Sequence, residues 1–283
     1  IRNEIRAYTI EHDLSYYDLR ARVGLLRGVI VRKNRAGDYL LLFSVSKENK
    51  EQLFPLFDHL LDKFPAVKSL NYLINDTPND AIYPHSVINY SGEDFIRENL
   101  NGVQFKIGAK SFFQTNTNQA EVLYQKAIEM LKLDGSETIY DLYTGIGSIA
   151  LSVANHCEKV VGIEQVEDAI MDAKENAQIN QMENAHFFTG DVRDLFNPAL
   201  IEKHGKPDII ITDPPRAGMH KDVVQALLKA AAPQLLYISC NPSTQARDLE
   251  VLCEKYSIEK VQPVDMFPQT HHIENIVLLK LKN

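Results

Sequence analysis

From about Asn116 to the end of the chain, short apolar runs alternate with stretches in which apolar residues recur every three or four positions. The runs are ETIYDLY, KVVGIE, AHFFTGD, PDIIITDPP and QLLYISC. Between and around them, NQAEVLYQKAIEMLKL, GSIALSVANHC, VEDAIMDAKENAQIN, HKDVVQALLKAAA and TQARDLEVLCEKY have helical spacing. Successive apolar strands separated by helices predict a mostly parallel sheet covered on both faces. IEKVQPVDMF and ENIVLLKLK follow with no helix between them, which predicts an antiparallel pair at the sheet edge. The whole pattern is α/β and fits a seven-stranded nucleoside-binding fold.

The first 115 residues read differently, as a small α+β domain. GLLRGVIVRK and YLLLFSV are strands around a turn at NRAGD, and SLNYLIN and HSVINYS are two more. NKEQLFPLFDHLLDKF has a helical stripe of Leu53, Phe57, Leu60, Leu61 and Phe64, with Pro55 suited to a first turn. The expected division is therefore 1–115 and 116–283.

Composition changes this picture little. The chain has 283 residues, 45% of them hydrophobic, and a net charge of −8, which argues mildly against a nucleic-acid partner. Yet Arg2, Arg6, Arg20, Arg22, Arg27, Arg32, Lys33 and Arg35 crowd the N-terminal segment. They form either a solvated strand face or an RNA surface. No apolar stretch suggests a membrane span. The three cysteines, Cys157, Cys240 and Cys253, have no CxxC spacing, so neither a disulfide framework nor a metal site is expected and a reducing cytoplasm is the default. The chain starts at Ile1 rather than Met, which reads as a fragment or a processed chain.

Ligands in parallel α/β sheets bind beyond the carboxyl ends of the strands. The first such loop is Asp141-Leu-Tyr-Thr-Gly145-Ile-Gly147-Ser148, and the second strand ends at Glu164. Glycines let the backbone approach a ligand, and a carboxylate at Glu164 can accept both hydroxyls of a ribose. NAD and S-adenosylmethionine (SAM) both fit, and the DLYT lead-in favours SAM. The fourth strand ends in Asp213-Pro214-Pro215-Arg216, a stiff loop whose last residue is not the aromatic usual in amino-methyltransferases. The fifth ends at Cys240, followed by Asn-Pro-Ser-Thr. Position alone leaves core filling and a nucleophile both open for Cys240, whereas Cys157 and Cys253 lie in helical patterns and read as filling. Glu274 opens the last apolar run, where it is either a solvated acid or a general base. The adjacent His271 and His272 are poorly spaced for metal ligation.

Five segments in order, SFFQTNTNQAEVLY, DLYTGIGSIAL, IIITDPPRAG, YISCNPSTQARDL and HHIENIVLL, closely resemble the RNA uracil-5 methyltransferases of the RumA and TrmA type. The wording is nearest to the 23S ribosomal RNA enzymes RlmD and RlmCD. The resemblance is strong over the last 170–180 residues and looser before them. It implies a Rossmann-like seven-stranded SAM-dependent methyltransferase domain with a small N-terminal domain, acting on uridine C5 in RNA. Ribosomal RNA is favoured over transfer RNA, and no obligatory protein partner is evident. It also implies Cys240 as nucleophile, Glu274 as base, and Gln114, Tyr143, Glu164 and Asp213 as SAM-contacting residues, with Arg216 behind them. The family's usual N-terminal oligonucleotide-binding barrel does not show in residues 1–115. Nor does the Cys-rich iron–sulfur motif of some members, so no cluster is expected and RNA affinity is expected to be weak. Cytosine-5 methylation and a non-catalytic RNA-binding module are the competing readings. The pairing of SCNPS with HHIEN, and the presence of both Cys240 and Glu274, argue against them.

Overall fold

The computed structural model describes residues 1–282. The chain divides into two compact units: Ile1–Glu98 with Lys106–Lys110, and Asn99–Phe105 with Ser111 onward.

The first unit opens with helix α1 (Arg2–Glu11), then strands β1 (Leu26–Lys33) and β2 (Tyr39–Val45), helix α2 (Lys50–Lys63), and strands β3 (Val67–Ile74) and β4 (Val87–Gly92). The sheet order is β1-β2-β3-β4. β2 and β3 run parallel, joined through α2, while the outer pairings are antiparallel. Leu53, Leu56, Phe57 and Leu60 of α2 are fully buried, and Phe57 meets Phe43 of β2 at a ring separation of 5.0 Å. Leu61 and Phe64, expected on the same stripe, are only partly buried. Pro55 is not in the first turn but inside the helix, since Asn49 is the N-cap and Leu53 makes the first i→i−4 backbone bond. A proline there removes one interior helix bond. α1 was not expected: only Ile5 and Thr9 of it are buried, too few to print a periodic stripe.

Arg27 settles part of the question about the basic segment. Its guanidinium donates to the carbonyls of Asn75, Thr77 and Asn79 and pairs with Asp80, its side chain 1% exposed. It braces the 75–80 loop and is not a free cation.

Residues 95–108, given no element in the sequence reading, form a hairpin of β5 (Phe95–Leu100) and β6 (Val103–Gly108). The signal was present in Asn101-Gly102: both have positive φ, +51° and +83°, as a tight hairpin turn requires.

The second unit continues with α3 (Thr117–Leu131), β7 (Thr138–Leu142), α4 (Ser148–Ala154), β8 (Lys159–Glu164), α5 (Glu167–Ile179) and β9 (Ala185–Thr189). Two short helices, α6 (Val192–Leu195) and α7 (Pro198–His204), precede β10 (Ile209–Thr212) and α8 (Lys221–Ala230). Then come β11 (Gln234–Ser239), α9 (Pro242–Leu252), β12 (Tyr256–Val264) and β13 (Glu274–Leu281). The seven-stranded sheet has the order β12-β13-β11-β10-β7-β8-β9. Neighbours from β11 to β9 are parallel, and β13 is antiparallel to both β11 and β12. The expected antiparallel pair is there, but only β12 is an edge: β13 inserts between β12 and β11. Its residues Ile276, Val277 and Leu279 are accordingly buried, as those of an edge strand would not be. Cys157 is buried, as core filling requires, though neither it nor Cys253 lies inside a helix and Cys253 is not buried. Cys157 lies past the C-cap of α4, buried before β8, and Cys253 is itself the C-cap of α9, half-exposed.

The chain leaves β7 towards β8 and β9 on one side, and later lays β10 and β11 on the other. Loops diverge at this switch point and leave a crevice at the strands' carboxyl ends.

Candidate active site

A cleft of about 560 Å³ occupies that crevice. Gln114, Tyr143, Glu164, Asp213, Cys240 and Glu274 all line it, so the structure brings together the six residues to which the resemblance gives catalysis or SAM contact.

The glycine loop follows β7. Tyr143 adopts φ +68°, a left-handed conformation uncommon for a residue with a Cβ. Gly145 has φ +56°, and a Cβ built on it would meet nothing within 4 Å. A side chain there would occupy the cleft itself, so glycine keeps that space for a ligand. Asp141 anchors the loop from below, wholly buried. Its Oδ2 accepts the Thr144 hydroxyl at 2.6 Å and the Ala150 N–H at 3.1 Å, while Oδ1 has no partner. Burial pushes its carboxyl up to about 7, against the pull of those two bonds.

Glu164, at the end of β8, spans the same loop. One oxygen accepts the Gly145 N–H at 3.2 Å and the other the Val166 N–H at 3.0 Å. Each carboxylate oxygen has a second lone pair to offer.

On the other side, Asp213 stands one residue beyond β10 and Cys240 one beyond β11. Burial holds the Asp213 carboxyl well above the ordinary range, with Glu274 and Asp141 adding to it. Burial also raises the Cys240 thiol, Glu274 and Asp213 raise it further, and Arg216 opposes them. Arg216 Nη2 in turn lies 3.1 Å from His272 Nδ1. The rings of His271 and His272 pack against each other at a tilt of 42°, with centroids 4.2 Å apart. Among the described residues no cluster of His, Cys, Asp or Glu could hold a metal ion.

Glu274 is 8% exposed at the first position of β13, and burial alone lifts its carboxyl to about 7. A base with that value is matched to neutral pH. The shift also has a cost. A carboxyl whose pKa is raised by folding favours the fold when protonated, and that contribution is lost as pH rises through the folded value. The thermal midpoint should therefore fall as pH rises from the ordinary carboxylate range through about 7. Glu274→Gln should flatten part of that slope, and an unaltered slope in the variant would remove Glu274 as its source.

The segment 111–116 closes the cleft's remaining wall. Ser111 donates to Asp172 at 2.5 Å, and Asn116 Nδ2 to the Met266 carbonyl at 2.8 Å. Gln119 Nε2 reaches the Asp265 carbonyl at 2.7 Å, so α3 is tied to the loop before β13. Gln114 and the exposed Phe112 project along this wall. Tyr124, Thr144, Ser148 and Met266 also line the cleft and were not foreseen. Thr144 and Ser148 stood in the quoted glycine loop; Tyr124 and Met266 carry no local signal, because only packing turns them inward.

The family described as tRNA (uracil-5-)-methyltransferase matches residues 88–282. The chain belongs to that family. Proteins named uncharacterized RNA methyltransferases agree with this. One from Bacteroides thetaiotaomicron is 48% identical over 100% of this chain and 63% of its own length. Another from Porphyromonas gingivalis is 45% identical over 99% and 61%. The chain thus spans about three fifths of the length of these relatives. Among solved structures, the Pyrococcus abyssi tRNA (uracil-54, C5)-methyltransferase in complex with S-adenosyl-L-homocysteine superposes with a TM-score of 0.82. It is 30% identical, and the match covers 98% of this chain and 65% of that one. The seven-stranded sheet is accordingly the Rossmann-like fold of SAM-dependent methyltransferases. No helix among the described residues is long and apolar enough to cross a membrane.

Proposed function

We propose that this chain methylates C5 of uridine in RNA with SAM as methyl donor, through a covalent bond between Cys240 and C6. The observation that carries this reading is the shared cleft. A free thiol and a buried carboxyl whose pKa lies near neutrality line the same cavity as a glycine loop and a ribose-type acid. Binding alone requires neither the thiol nor the neutral-range base.

The residues fit SAM. The open space over Gly145 admits a ligand against the backbone, and the cavity is of the size that small-molecule sites have. Glu164 would accept the ribose hydroxyls, Tyr143 and Gln114 would flank the nucleoside and its tail, and Asp213 would face both donor and target base. SAM supplies the electrophilic methyl group.

C5 of uracil is a poor nucleophile. The Cys240 thiolate adds to C6, forming an S–C6 bond and placing the electron pair as an enolate with nucleophilic character at C5. C5 takes the methyl group and S-adenosylhomocysteine departs. Glu274 then removes the C5 proton, and the resulting enolate expels the thiolate as the C5–C6 double bond re-forms. Arg216, the one cation acting on the thiol, favours its ionised form. The arrangement accounts for two functional groups at separate strand ends, one for each half of the reaction.

For the RNA, ribosomal RNA is the proposed substrate, on the motif wording. Transfer RNA is the second reading, carried by the name of the Pyrococcus abyssi enzyme. The cytoplasm is the proposed setting. Incubation with methyl-labelled SAM and separate ribosomal, transfer and uridine-free RNAs tests the activity and the choice of RNA. Label should enter ribosomal RNA as 5-methyluridine. Label in cytidine, or in none of the three, overturns the proposal.

Glu164→Ala should weaken SAM binding by roughly 1.5–3 kcal/mol, the worth of hydrogen bonds to a charged acceptor. The Gly145 and Val166 N–H groups lose their acceptor in the same step. Unchanged SAM affinity by calorimetry would remove Glu164 from the cofactor site.

A further inference from the structure

The cleft brings Cys240, Asp213 and Glu274 together from three strand ends, and α9 touches the chain beside each of them. The helix starts directly after Cys240, with Asn241 as N-cap and Pro242 in the first turn. One side of it grips the loop that carries Asp213. Asn241 Nδ2 and Thr244 Oγ1 both donate to the Arg216 carbonyl, at 2.9 and 3.2 Å. Arg247 donates to the Ala217 carbonyl at 3.0 Å, and buried Asp248 accepts the Met219 N–H at 2.8 Å. The loop comes so close that a Cβ on Gly218 would lie 2.6 Å from the Arg247 guanidinium.

Gln245 reaches the other way. It is 1% exposed and its amide is fully used. Nε2 donates to the Tyr237 carbonyl at 2.9 Å and to the Asn275 carbonyl at 3.1 Å, and Oε1 accepts Asn275 Nδ2 at 2.7 Å. Asn275 is the residue after Glu274, the second of β13. Successive strand residues point to opposite faces, so gripping Asn275 on one face fixes the direction of Glu274 on the other. Strand ends fray, and a base placed at one needs such an anchor to hold its geometry.

We infer that Gln245 is a positioning residue for Glu274, acting through its paired bonds to Asn275. This rests on the proposed uridine chemistry. It implies that loss of Gln245 acts after methyl transfer, in the proton-removal half of the reaction, although the side chain lies in a helix and touches no substrate.

Gln245→Leu keeps the volume and the helix but strands the Asn275 amide. With uridine RNA and SAM, turnover should fall ~10- to 100-fold, the range for a displaced catalytic group. A methylated protein–RNA adduct should accumulate, while SAM affinity and the rate of adduct formation in a single turnover stay as in the wild type. A protein weakened only in folding would lose these in equal measure and show no adduct. If Gln245→Leu does not fold, Gln245→Glu serves, since it keeps the acceptor for Asn275 Nδ2 and loses the donated bonds. Wild-type turnover, or parallel loss of addition and elimination, overturns the inference. Failure of the underlying reading shows itself separately: wild-type protein would then not be trapped by 5-fluorouridine RNA, and the inference falls with it.

Discussion

Cys240→Ala is expected to lose methyl transfer by about ten-thousand-fold or more, the scale seen when a covalent nucleophile is removed. Without addition at C6, C5 of uracil never gains the electron density to attack a methyl group. SAM binding should stay nearly intact, because the proposed cofactor contacts at Gln114, Tyr143 and Glu164 come from other elements. The wild-type protein offers a direct counterpart. RNA carrying 5-fluorouridine should trap it covalently, since fluorine at C5 cannot leave as a cation and elimination is blocked. Peptide mapping should place the adduct on Cys240. An adduct on Cys157 would be surprising, because burial pushes that thiol up to about 12. An adduct on Cys157 or Cys253 would overturn the assignment.

Glu274→Gln separates the second half of the reaction from the first. Cys240 can still add and the methyl group can still transfer, but the C5 proton has no acceptor. A methylated protein–RNA complex should build up on ordinary uridine, and turnover should drop by about a hundred- to ten-thousand-fold, the range for general-base removal. The pH profile gives an independent check. The base must be ionised, and its carboxyl is held near 7, so the wild-type rate should fall as pH drops below that value. Deprotonation of the raised Cys240 thiol acts in the same direction. Wild-type turnover by Glu274→Gln, with no trapped complex, would eliminate Glu274 as the base. Asp213 would be the next carboxylate in the cleft to test.

Much of the second unit was legible in the sequence, because it depends on local periodicity. Buried parallel strands print continuous apolar runs such as IIIT and LLYIS, and helices packed on one side print a three-to-four repeat. Elements without a buried stripe left no such print. α1 buries two residues, and none of α7 is buried. The hairpin β5–β6 is a different case: its Asn101-Gly102 turn and the alternation of buried Val103, Phe105 and Ile107 are both in the sequence, a period of two rather than a continuous apolar run.

The site residues were legible for a related reason. In a parallel sheet the carboxyl ends of all strands face one way, so the first residue past each apolar run lies on the ligand side. That rule alone places the glycine loop, Glu164, Asp213 and Cys240; Tyr143 and Gln114 came from the family resemblance. The rule does not place Glu274, which stands at the start of its strand. Only the tertiary structure decided that β13 runs antiparallel between β11 and β12. Reversal of one strand brings its beginning to the edge where the others finish, and so carries Glu274 into the cleft with Cys240. The carboxyl pKa values near 7 at Asp141 and Glu274 were likewise set by burial, which arises from packing among residues distant in sequence. The chain order of residues fixes which groups stand at strand ends; strand direction and burial decide which of them meet and in what protonation state.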